Sequence, residues 1–331
     1  KLNNLINMNM KLIVFSICLN EEKTIGELLD RIPKKIEGID EIVKVVIDDG
    51  SKDRTAQIAK EKGALVFSNQ RQKRLAYSFQ FAIDKALELG GDIAVNIDGD
   101  LQFMPEEIPL LVKPIVQGKA DFVAGSRLSN GVKPENMPKS KYLGNKLGAK
   151  VISSITNQKF DDVTCGFRAY SREAMLHIKI NSKYTYTQEV FQLMASKKLD
   201  IVQVPITIKY YKGRKSRVVK SVSGFITNSA FNILRAFRDF EPMKFFGILS
   251  LIPLILGLIC LIFVLIHWIS TGSITPYKTV GFAGIYLFSL SIVVGLFGLL
   301  SDMLGRMVNT QEKILYYDKK MYYSKLRRKK E

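Results

Sequence analysis

Two long segments without a single charged side chain constrain the C-terminal third of this chain more than any other feature. Residues 245–277 and 279–301 contain no Lys, Arg, Asp or Glu, and each is long enough for a membrane-spanning helix of about 20 residues. The polar break between them carries Trp268 and Tyr277, residue types that favour the membrane–water interface. Two core helices of a soluble domain fit this length and purity poorly. The sequence therefore predicts two transmembrane helices, at about 245–268 and 279–301, within a hairpin of residues 245–303.

The basic residues lie mainly on the two outer sides of this hairpin. The formal net charge is +18, and Lys278 is the only Lys or Arg in the break between the apolar segments. The positive-inside rule then predicts that the large N-terminal region and both termini are cytoplasmic. Nucleic-acid binding is the competing explanation for such a charge, but attraction to anionic lipid head groups explains basic residues beside apolar spans more simply. We expect a membrane partner and no nucleic acid.

Residues 11–217 alternate between short apolar runs and amphipathic stretches. This alternation predicts an α/β domain with a mostly parallel sheet and helices on both faces. Ligands of such sheets bind beyond the carboxyl ends of the strands, where several acidic and amide side chains fall. The predicted strands are 12–17, 42–47, 64–68, 93–97 and 122–125, and the predicted helices are 23–31, 51–62, 75–89 and 106–117.

A pair of carboxylates one residue apart follows the fourth apolar run. Asp98 and Asp100 flank Gly99, and Gln102 follows two residues later. Strand side chains alternate faces, so an extended backbone would direct both carboxylates the same way. Hard oxygen ligands of this kind suit Mg²⁺ or Mn²⁺, with substrate phosphates completing the coordination. The alternative for this segment alone is a solvated turn in which Asp is an ordinary turn residue.

Six motifs in this order resemble the family 2 glycosyltransferases of GT-A fold. They also look like the branch of that family that includes dolichyl-phosphate mannose and glucose synthases. The resemblance covers roughly residues 11–220. The motifs are SICLNEE (16–22), VIDDGSKDRT (46–55), DGDLQ (98–102) followed by Pro105, GSR (125–127), DVTCGFR (162–168) and GRKSR (213–217).

The resemblance implies roles for these residues in binding a nucleotide-sugar. Asn20, Glu21 and Asp49 would hold the base and ribose, while Asp48 would shape the end of its strand. Asp98, Asp100 and Gln102 would hold a divalent cation, Mg²⁺ or Mn²⁺, on the diphosphate. Two departures from the family pattern weaken any inference about the nucleotide: Ile17 and Leu19 replace a usual Pro and Tyr, and the basic segment 69–74 replaces a Gly-rich stretch.

The implied acceptor is a polyprenyl or dolichyl phosphate. A lipid monophosphate needs no base, because its second pKa is near about 6 and its oxygen is already anionic. Cationic side chains would dock it instead, and the residues at the matching positions are Arg127, Lys141, Arg214, Lys215, Ser216 and Arg217. The alternative for residues 214–217 is a simple patch for lipid head groups. We also expect Asp162 and Arg168 to pair and shape the pocket.

We therefore predict a membrane-anchored, inverting glycosyltransferase with Asp98, Asp100 and Arg127 as its catalytic residues. The sugar donor stays open among UDP-GlcNAc, UDP-Glc and GDP-Man, and the chain is compatible with a homo-oligomer. The alternatives are a family 2 transferase with another acceptor and a non-catalytic membrane adaptor that keeps the fold. The predicted regions are an N-terminal extension (1–10), the GT-A domain (11–217), an interfacial amphipathic helix (218–244), the hairpin (245–303) and a basic cytoplasmic tail (304–331).

Overall fold

The structure, a computed structural model, describes residues 9–129, 134–180, 186–210, 234, 238 and 241–329. The chain divides into two compact units. We call them the α/β unit (Lys1–Ile226 and Leu315–Glu331) and the hairpin unit (Thr227–Ile314). The predicted interfacial helix at 218–244 and the basic motif at 213–217 lie almost entirely outside the described residues.

The α/β unit alternates strands and helices along the chain, as the sequence predicts. The strands are β1 (Lys11–Cys18), β2 (Glu41–Asp48), β3 (Leu65–Ser68), β4 (Ile93–Asn96), β5 (Phe122–Ser126), β6 (Arg168–Ser171) and β7 (Ile201–Pro205). The helices are α1 (Ile25–Arg31), α2 (Thr55–Glu61), α3 (Leu75–Glu88), α4 (Ile108–Val116), α5 (Lys139–Thr156), α6 (Arg172–His177) and α7 (Thr187–Ser196), and the short 3-10 helix Pro105–Glu107 precedes α4. The elements predicted between residues 11 and 125 are all present, and only their ends differ by a few residues.

The seven strands form one sheet in the order β3-β2-β1-β4-β6-β5-β7. All neighbouring strands are parallel except β6, which runs antiparallel to both β4 and β5. The strand order reverses between β1 and β4, and a crevice for ligands forms at such a reversal in open α/β sheets. The predicted α/β fold with a mostly parallel sheet is confirmed.

Both faces of the sheet are buried, because the apolar side chains of each strand alternate between them. In β1, Ile13 and Phe15 enter one core, which contains residues of α3, α5, α6 and α7. Leu12 and Val14 enter the opposite core, with residues of α1, α2 and α4. Helices cover both faces, so the ends of the strands are the part of the sheet that is open to ligands.

The hairpin unit contains α8 (Pro242–Thr271) and the first part of α9 (Lys278–Arg328). Both helices are long and apolar enough to cross a membrane. In the most apolar 18-residue stretch of each, only 11% and 17% of the residues are buried, respectively. They approach each other closely at Gly257, where a Cβ atom would lie 3.0 Å from the carbonyl oxygen of Gly284. Small residues permit this kind of close packing between membrane helices. Two long apolar helices, as predicted, are therefore present.

The last part of α9 belongs to the α/β unit rather than to a separate tail. Tyr316 stacks on His177 at 4.4 Å and donates a hydrogen bond to Glu173 at 2.7 Å. Tyr323 is buried in the core beside α3, and Arg327 pairs with Asp92 at 2.6 Å. The sequence predicts a basic cytoplasmic tail at residues 304–331. The structure adds partners in the α/β unit for Tyr316, Tyr323 and Arg327, and the cytoplasmic placement of this segment stays a prediction.

Candidate active site

The candidate site lies at the carboxyl ends of β1, β2 and β4. The register pairs Cys18 with Asp48 at the ends of β1 and β2, and it pairs Asn96, the last residue of β4, with Phe15, three residues before β1 ends. The backbone N–H of Asp49 donates to the carbonyl of Cys18 at 2.8 Å, which continues this pairing beyond the strands. The residues that follow each strand are therefore brought together, as the parallel sheet requires.

The segment after β4 turns tightly around Gly99. A Cβ atom at Gly99 would lie 2.6 Å from the sulfur of Cys18, so only glycine fits without a shift. Thr24 Oγ1 donates to the Gly99 carbonyl at 2.7 Å, and Asp100 Oδ1 accepts the backbone N–H of Gln102 at 3.1 Å. Leu101 has a left-handed backbone with φ 57°. The two carboxylates therefore sit on a turn that is fixed on both sides.

The electrostatics of this turn favour a bound cation. Burial, and then the charge of Asp100, raise the pKa of Asp98 to about 7, although Arg127 and Arg168 act in the opposite direction. Two neighbouring carboxylates repel each other when both are ionised, and a cation bound between them offsets this repulsion.

The available ligands on this turn are hard oxygens, which fit Mg²⁺ or Mn²⁺. Among the described residues no group of three or more His, Cys, Asp and Glu side chains is arranged to hold a metal ion. The protein would thus supply the two carboxylates and Gln102, and a substrate would supply the rest.

The loop after β1 is joined to the loop after β2 by hydrogen bonds. Asn20 Oδ1 accepts the backbone N–H of Lys52 at 2.8 Å, and the backbone N–H of Glu21 donates to Thr55 Oγ1 at 2.8 Å. Asp48 Oδ1 accepts the backbone N–H of Ser51 at 2.9 Å. Asn20 and Asp48 therefore shape this edge of the site, and the predicted nucleotide contacts of Asn20 and Glu21 stay predictions.

Asp49 has the most extensive hydrogen bonding of these residues. Its carboxylate accepts four bonds between 2.8 and 3.0 Å, and all the donors belong to the segment that links β3 to α3 or to α3 itself. The donors are the side chains of Asn69 and Ser78 and the backbone N–H groups of Lys73 and Arg74. Asp49 thus anchors the basic segment 69–74 against the site. Sequence reasoning assigned Asp49 to the nucleotide and missed this internal role.

Arg127 forms a buried, two-pronged ion pair with Asp162. Its Nε lies 2.6 Å from Asp162 Oδ2 and its Nη2 lies 2.9 Å from Asp162 Oδ1. Nη2 also donates to Thr164 at 2.6 Å, and Nη1 faces the hydroxyl of Tyr210 at 3.5 Å. Burial raises the pKa of Asp162, but the charge and hydrogen bonds of Arg127 outweigh it and hold that pKa below its ordinary value.

The expected pairing of Asp162 with Arg168 is wrong. Arg168 instead donates to the backbone carbonyls of Cys165, at 2.6 Å, and Val163, at 3.1 Å. Arg127 directly follows β5, and both its backbone N–H and its side chain donate hydrogen bonds to the Asp162 carboxylate. Sequence spacing alone could not reveal this partner, which is 35 residues away.

Lys141 and Tyr210 complete a cationic pocket with Arg127. The Lys141 ammonium lies 4.8 Å from the ring centre of Tyr210, and burial together with the Arg127 charge lowers the pKa of Lys141. One turn further along α5, Asn145 is 2% exposed, and its Nδ2 has no hydrogen-bond partner in the part of the chain that the structure describes. Sequence reasoning missed Asn145; its spacing of four residues from Lys141 is the signal that could have found it. The other predicted phosphate ligands, Arg214, Lys215, Ser216 and Arg217, lie outside the described residues.

Comparison with known proteins agrees with this architecture. The family model for glycosyl transferase family 2 matches residues 13–178. The UDP-N-acetylglucosamine–dolichyl-phosphate N-acetylglucosaminyltransferase of Methanococcus voltae is 30% identical over 227 residues, 62% of this chain and 88% of its own. The dolichol-phosphate mannosyltransferase of Pyrococcus furiosus is 32% identical over 206 residues, 60% of this chain and 56% of its own.

A solved structure has the same fold. Glucosyl-3-phosphoglycerate synthase of Mycobacterium tuberculosis, in complex with Mn²⁺, UDP and glucosyl-3-phosphoglycerate, aligns with a TM-score of 0.53 at 20% identity. The alignment covers 68% of this chain and 80% of that one. The family model matches half of the chain, and the carboxylates lie where the strand order of the mostly parallel sheet reverses. This chain therefore belongs to glycosyl transferase family 2 and has the GT-A fold.

Proposed function

We propose that this chain transfers one sugar from a nucleotide-sugar to the phosphate of a polyprenyl lipid of the dolichyl type. The observation that carries the proposal is the juxtaposition of opposite charges at one site. Asp98 and Asp100 form the donor side, and Arg127 and Lys141 form a cationic pocket nearby. Relatives named for transfer to dolichyl phosphate support the same acceptor class.

The donor side is built for a nucleoside diphosphate that carries a cation. Asp98, Asp100 and Gln102 would hold Mg²⁺ or Mn²⁺, which offsets the charge that develops on the departing diphosphate. The turn around Gly99 is fixed by Thr24 and by the close packing of Gly99 against Cys18. The nucleotide and the sugar stay open among UDP-GlcNAc, UDP-Glc and GDP-Man.

The acceptor side needs cations rather than a base. The two histidines of the chain are engaged elsewhere: His177 stacks on Tyr316, and His267 bonds the carbonyl of Thr275 in the hairpin unit. A lipid phosphate is already anionic near neutral pH. Its oxygen forms a bond to the anomeric carbon while the bond from that carbon to the diphosphate breaks, so the configuration inverts and no proton has to be removed.

The hairpin unit would anchor the enzyme where its acceptor resides. Helices α8 and α9 expose apolar side chains along most of their length, which suits a lipid environment. With both termini cytoplasmic, as the charge distribution predicts, the site would act at the cytoplasmic face. The residues at 214–217 would add cations to the acceptor pocket.

Transfer by the full chain, purified in detergent, tests the proposal. The assay combines each of the three nucleotide-sugars with a polyprenyl phosphate in Mg²⁺ or Mn²⁺. We expect one donor to yield a lipid-linked sugar and Asp98→Asn to lose about two orders of magnitude or more of turnover, as expected when an electrostatic catalytic group is removed. The control is Asp200→Asn, because Asp200 is an exposed carboxylate just before β7, the edge strand of the sheet away from β1 and β4.

The outcomes separate the proposal from its alternatives. Turnover with a different acceptor, but none with polyprenyl phosphate, would point to another family 2 activity. Nucleotide binding without transfer or hydrolysis of any donor would indicate a non-catalytic adaptor. Wild-type turnover in Asp98→Asn would reject the role of the carboxylate pair.

A further inference from the structure

Arg168 is a fully buried cation whose guanidinium has no carboxylate partner among the described residues. Its side chain is 0% exposed. Nε and Nη2 donate to the backbone carbonyls of Cys165 and Val163, while Nη1 has no hydrogen-bond partner in that part of the chain. Three aromatic rings surround the guanidinium at 4.9 to 5.7 Å, those of Phe122, Tyr186 and Phe191. Burial of an unpaired charge is costly even with favourable ring contacts.

The groups that Arg168 does hold belong to a single turn. Residues 163–167 connect Asp162 to β6, and both carbonyls bound by Arg168 lie in this turn. Asn96 Nδ2, at the end of β4, binds a third carbonyl, that of Gly166, at 2.8 Å. Buried side chains that satisfy backbone groups fix irregular segments in one conformation. Arg168 thus fixes the shape of this turn.

This turn forms a wall between the two halves of the site. A Cβ atom at Gly166 would lie 3.0 and 3.1 Å from the two carboxylate oxygens of Asp98, so the Gly166 backbone lies directly against that carboxylate. The residue before the turn, Asp162, carries the two-pronged pair with Arg127. A shift of the turn would therefore displace Asp98 on the donor side and Arg127 on the acceptor side together.

We propose that Arg168 is a positioning residue for sugar transfer, which fixes turn 163–167 so that Gly166 supports Asp98 and Asp162 orients Arg127. The proposal rests on the proposed function for its kinetic consequences and on the described contacts for its structural ones. Arg168 is fully buried, and it acts through the turn in addition to the effect of its charge on Asp98.

Two variants test the proposal from opposite sides of the turn. Arg168→Lys keeps the charge, but a single ammonium cannot reproduce the planar fork that reaches both carbonyls. Gly166→Ala leaves Arg168 intact and presses a methyl group on Asp98. Arg172→Lys is the matched control, because Arg172 is the first residue of α6, next in the chain after β6, and donates to a backbone carbonyl, that of Gly91, at 3.0 Å.

The first measurement is hydrogen exchange of the substrate-free chain, which needs no activity. In Arg168→Lys we expect amides of residues 163–167 to exchange about tenfold faster or more, while β1, β4 and α3 keep their protection, since local opening can be independent of global unfolding. Equal exchange in Arg168→Lys and the parent chain would overturn the proposal. So would a uniform increase over the whole α/β unit, which would assign Arg168 to fold stability alone.

The second measurement is steady-state transfer with both substrates varied. We expect kcat to fall about tenfold or more in Arg168→Lys and in Gly166→Ala, with the KM for the donor nearly unchanged, because misplacement of reacting groups lowers the rate more than binding. Arg172→Lys should match the parent chain. Parent-like kcat in Gly166→Ala would reject the role of the turn even if Arg168→Lys did not fold. If the parent chain itself transferred no sugar to polyprenyl phosphate, the proposed function would fail, and the exchange result would still decide the positioning role.

Discussion

Replacement of Asp49 by Asn separates two roles for this carboxylate, contact with the nucleotide and anchorage of segment 69–74. Asp48 and Asp49 are equally buried, at 4% exposure, but among the described residues the carboxylate of Asp48 accepts one hydrogen bond and that of Asp49 accepts four. The two substitutions Asp48→Asn and Asp49→Asn therefore match in burial and in chemistry. They differ in the number of donors that lose a charged acceptor.

The expected cost follows from those bonds. In Asp49→Asn the amide oxygen can replace Oδ1 and keep three donors, but its NH₂ group then faces the backbone N–H of Arg74. One charge-assisted bond is lost, at about 1.5–3 kcal/mol, and three others weaken to neutral bonds at about 1 kcal/mol each, which gives a total of about 5 kcal/mol. Asp48→Asn only weakens one bond, at about 1 kcal/mol. For a unit of this size the difference of about 4 kcal/mol between the two variants corresponds to about 8–16 °C in Tm.

Thermal unfolding of the detergent-purified chain, together with titration of nucleotide, distinguishes the two roles. If Asp49 is an anchor, the Asp49→Asn variant unfolds at a clearly lower temperature than the Asp48→Asn variant, and segment 69–74 loses protection in hydrogen exchange. If Asp49→Asn and Asp48→Asn unfold at the same temperature while only Asp49→Asn loses nucleotide affinity, Asp49 contacts the nucleotide directly. The anchoring argument would then be refuted.

Two further predictions concern the C-terminal half of the chain. A cysteine placed at Ser273 in the hairpin loop should react with an impermeant thiol reagent added outside intact cells, whereas one placed at Ser324 should react only after lysis; the reverse pattern would overturn the proposed orientation. Arg327→Ala should lower the stability of the α/β unit by about 1–3 kcal/mol, since it removes a partly buried charged partner of Asp92, and its effect should vanish in an Asp92→Ala background. Arg328→Ala is the exposed control, and equal effects of the two substitutions would show that the docking contact contributes nothing.

Local sequence pattern was sufficient for the parts of the site that lie next to a strand. Asp98, Asp100 and Gln102 follow β4 directly, and Asp48 and Asp49 close or follow β2, so the prediction of parallel strands also placed these residues at one edge. Apolar periodicity and turn residues encode this kind of information within a few positions. The same holds for the uncharged parts of α8 and α9, residues 245–271 and 279–301, which are visible directly in the sequence.

Contacts between distant segments could not be predicted in this way. The partner of Arg127 is 35 residues away, and the donors to Asp49 are 20 to 29 residues away. Strand β6 has only four residues, which include a buried Arg, and its antiparallel place between β4 and β5 has no local signal. The docking of Tyr323 against the α/β unit depends on a surface more than 200 residues earlier in the chain. Periodicity carries no information on such pairings.

The charges of the site also suit the proposed phosphorylated acceptor, which needs no catalytic base. Burial and the charge of Asp100 raise the pKa of Asp98, and burial and the charge of Arg127 lower the pKa of Lys141. Each side therefore carries like charges that a ligand of opposite sign would offset, which under the proposed function is a cation with diphosphate on one side and a lipid phosphate on the other. Turn 163–167 separates the two sides: Gly166 contacts Asp98, and Asp162 and Thr164 bind Arg127. Under the proposed function, binding of either substrate would relieve the repulsion on its own side, and the shared turn would keep the two reacting groups in a fixed relation.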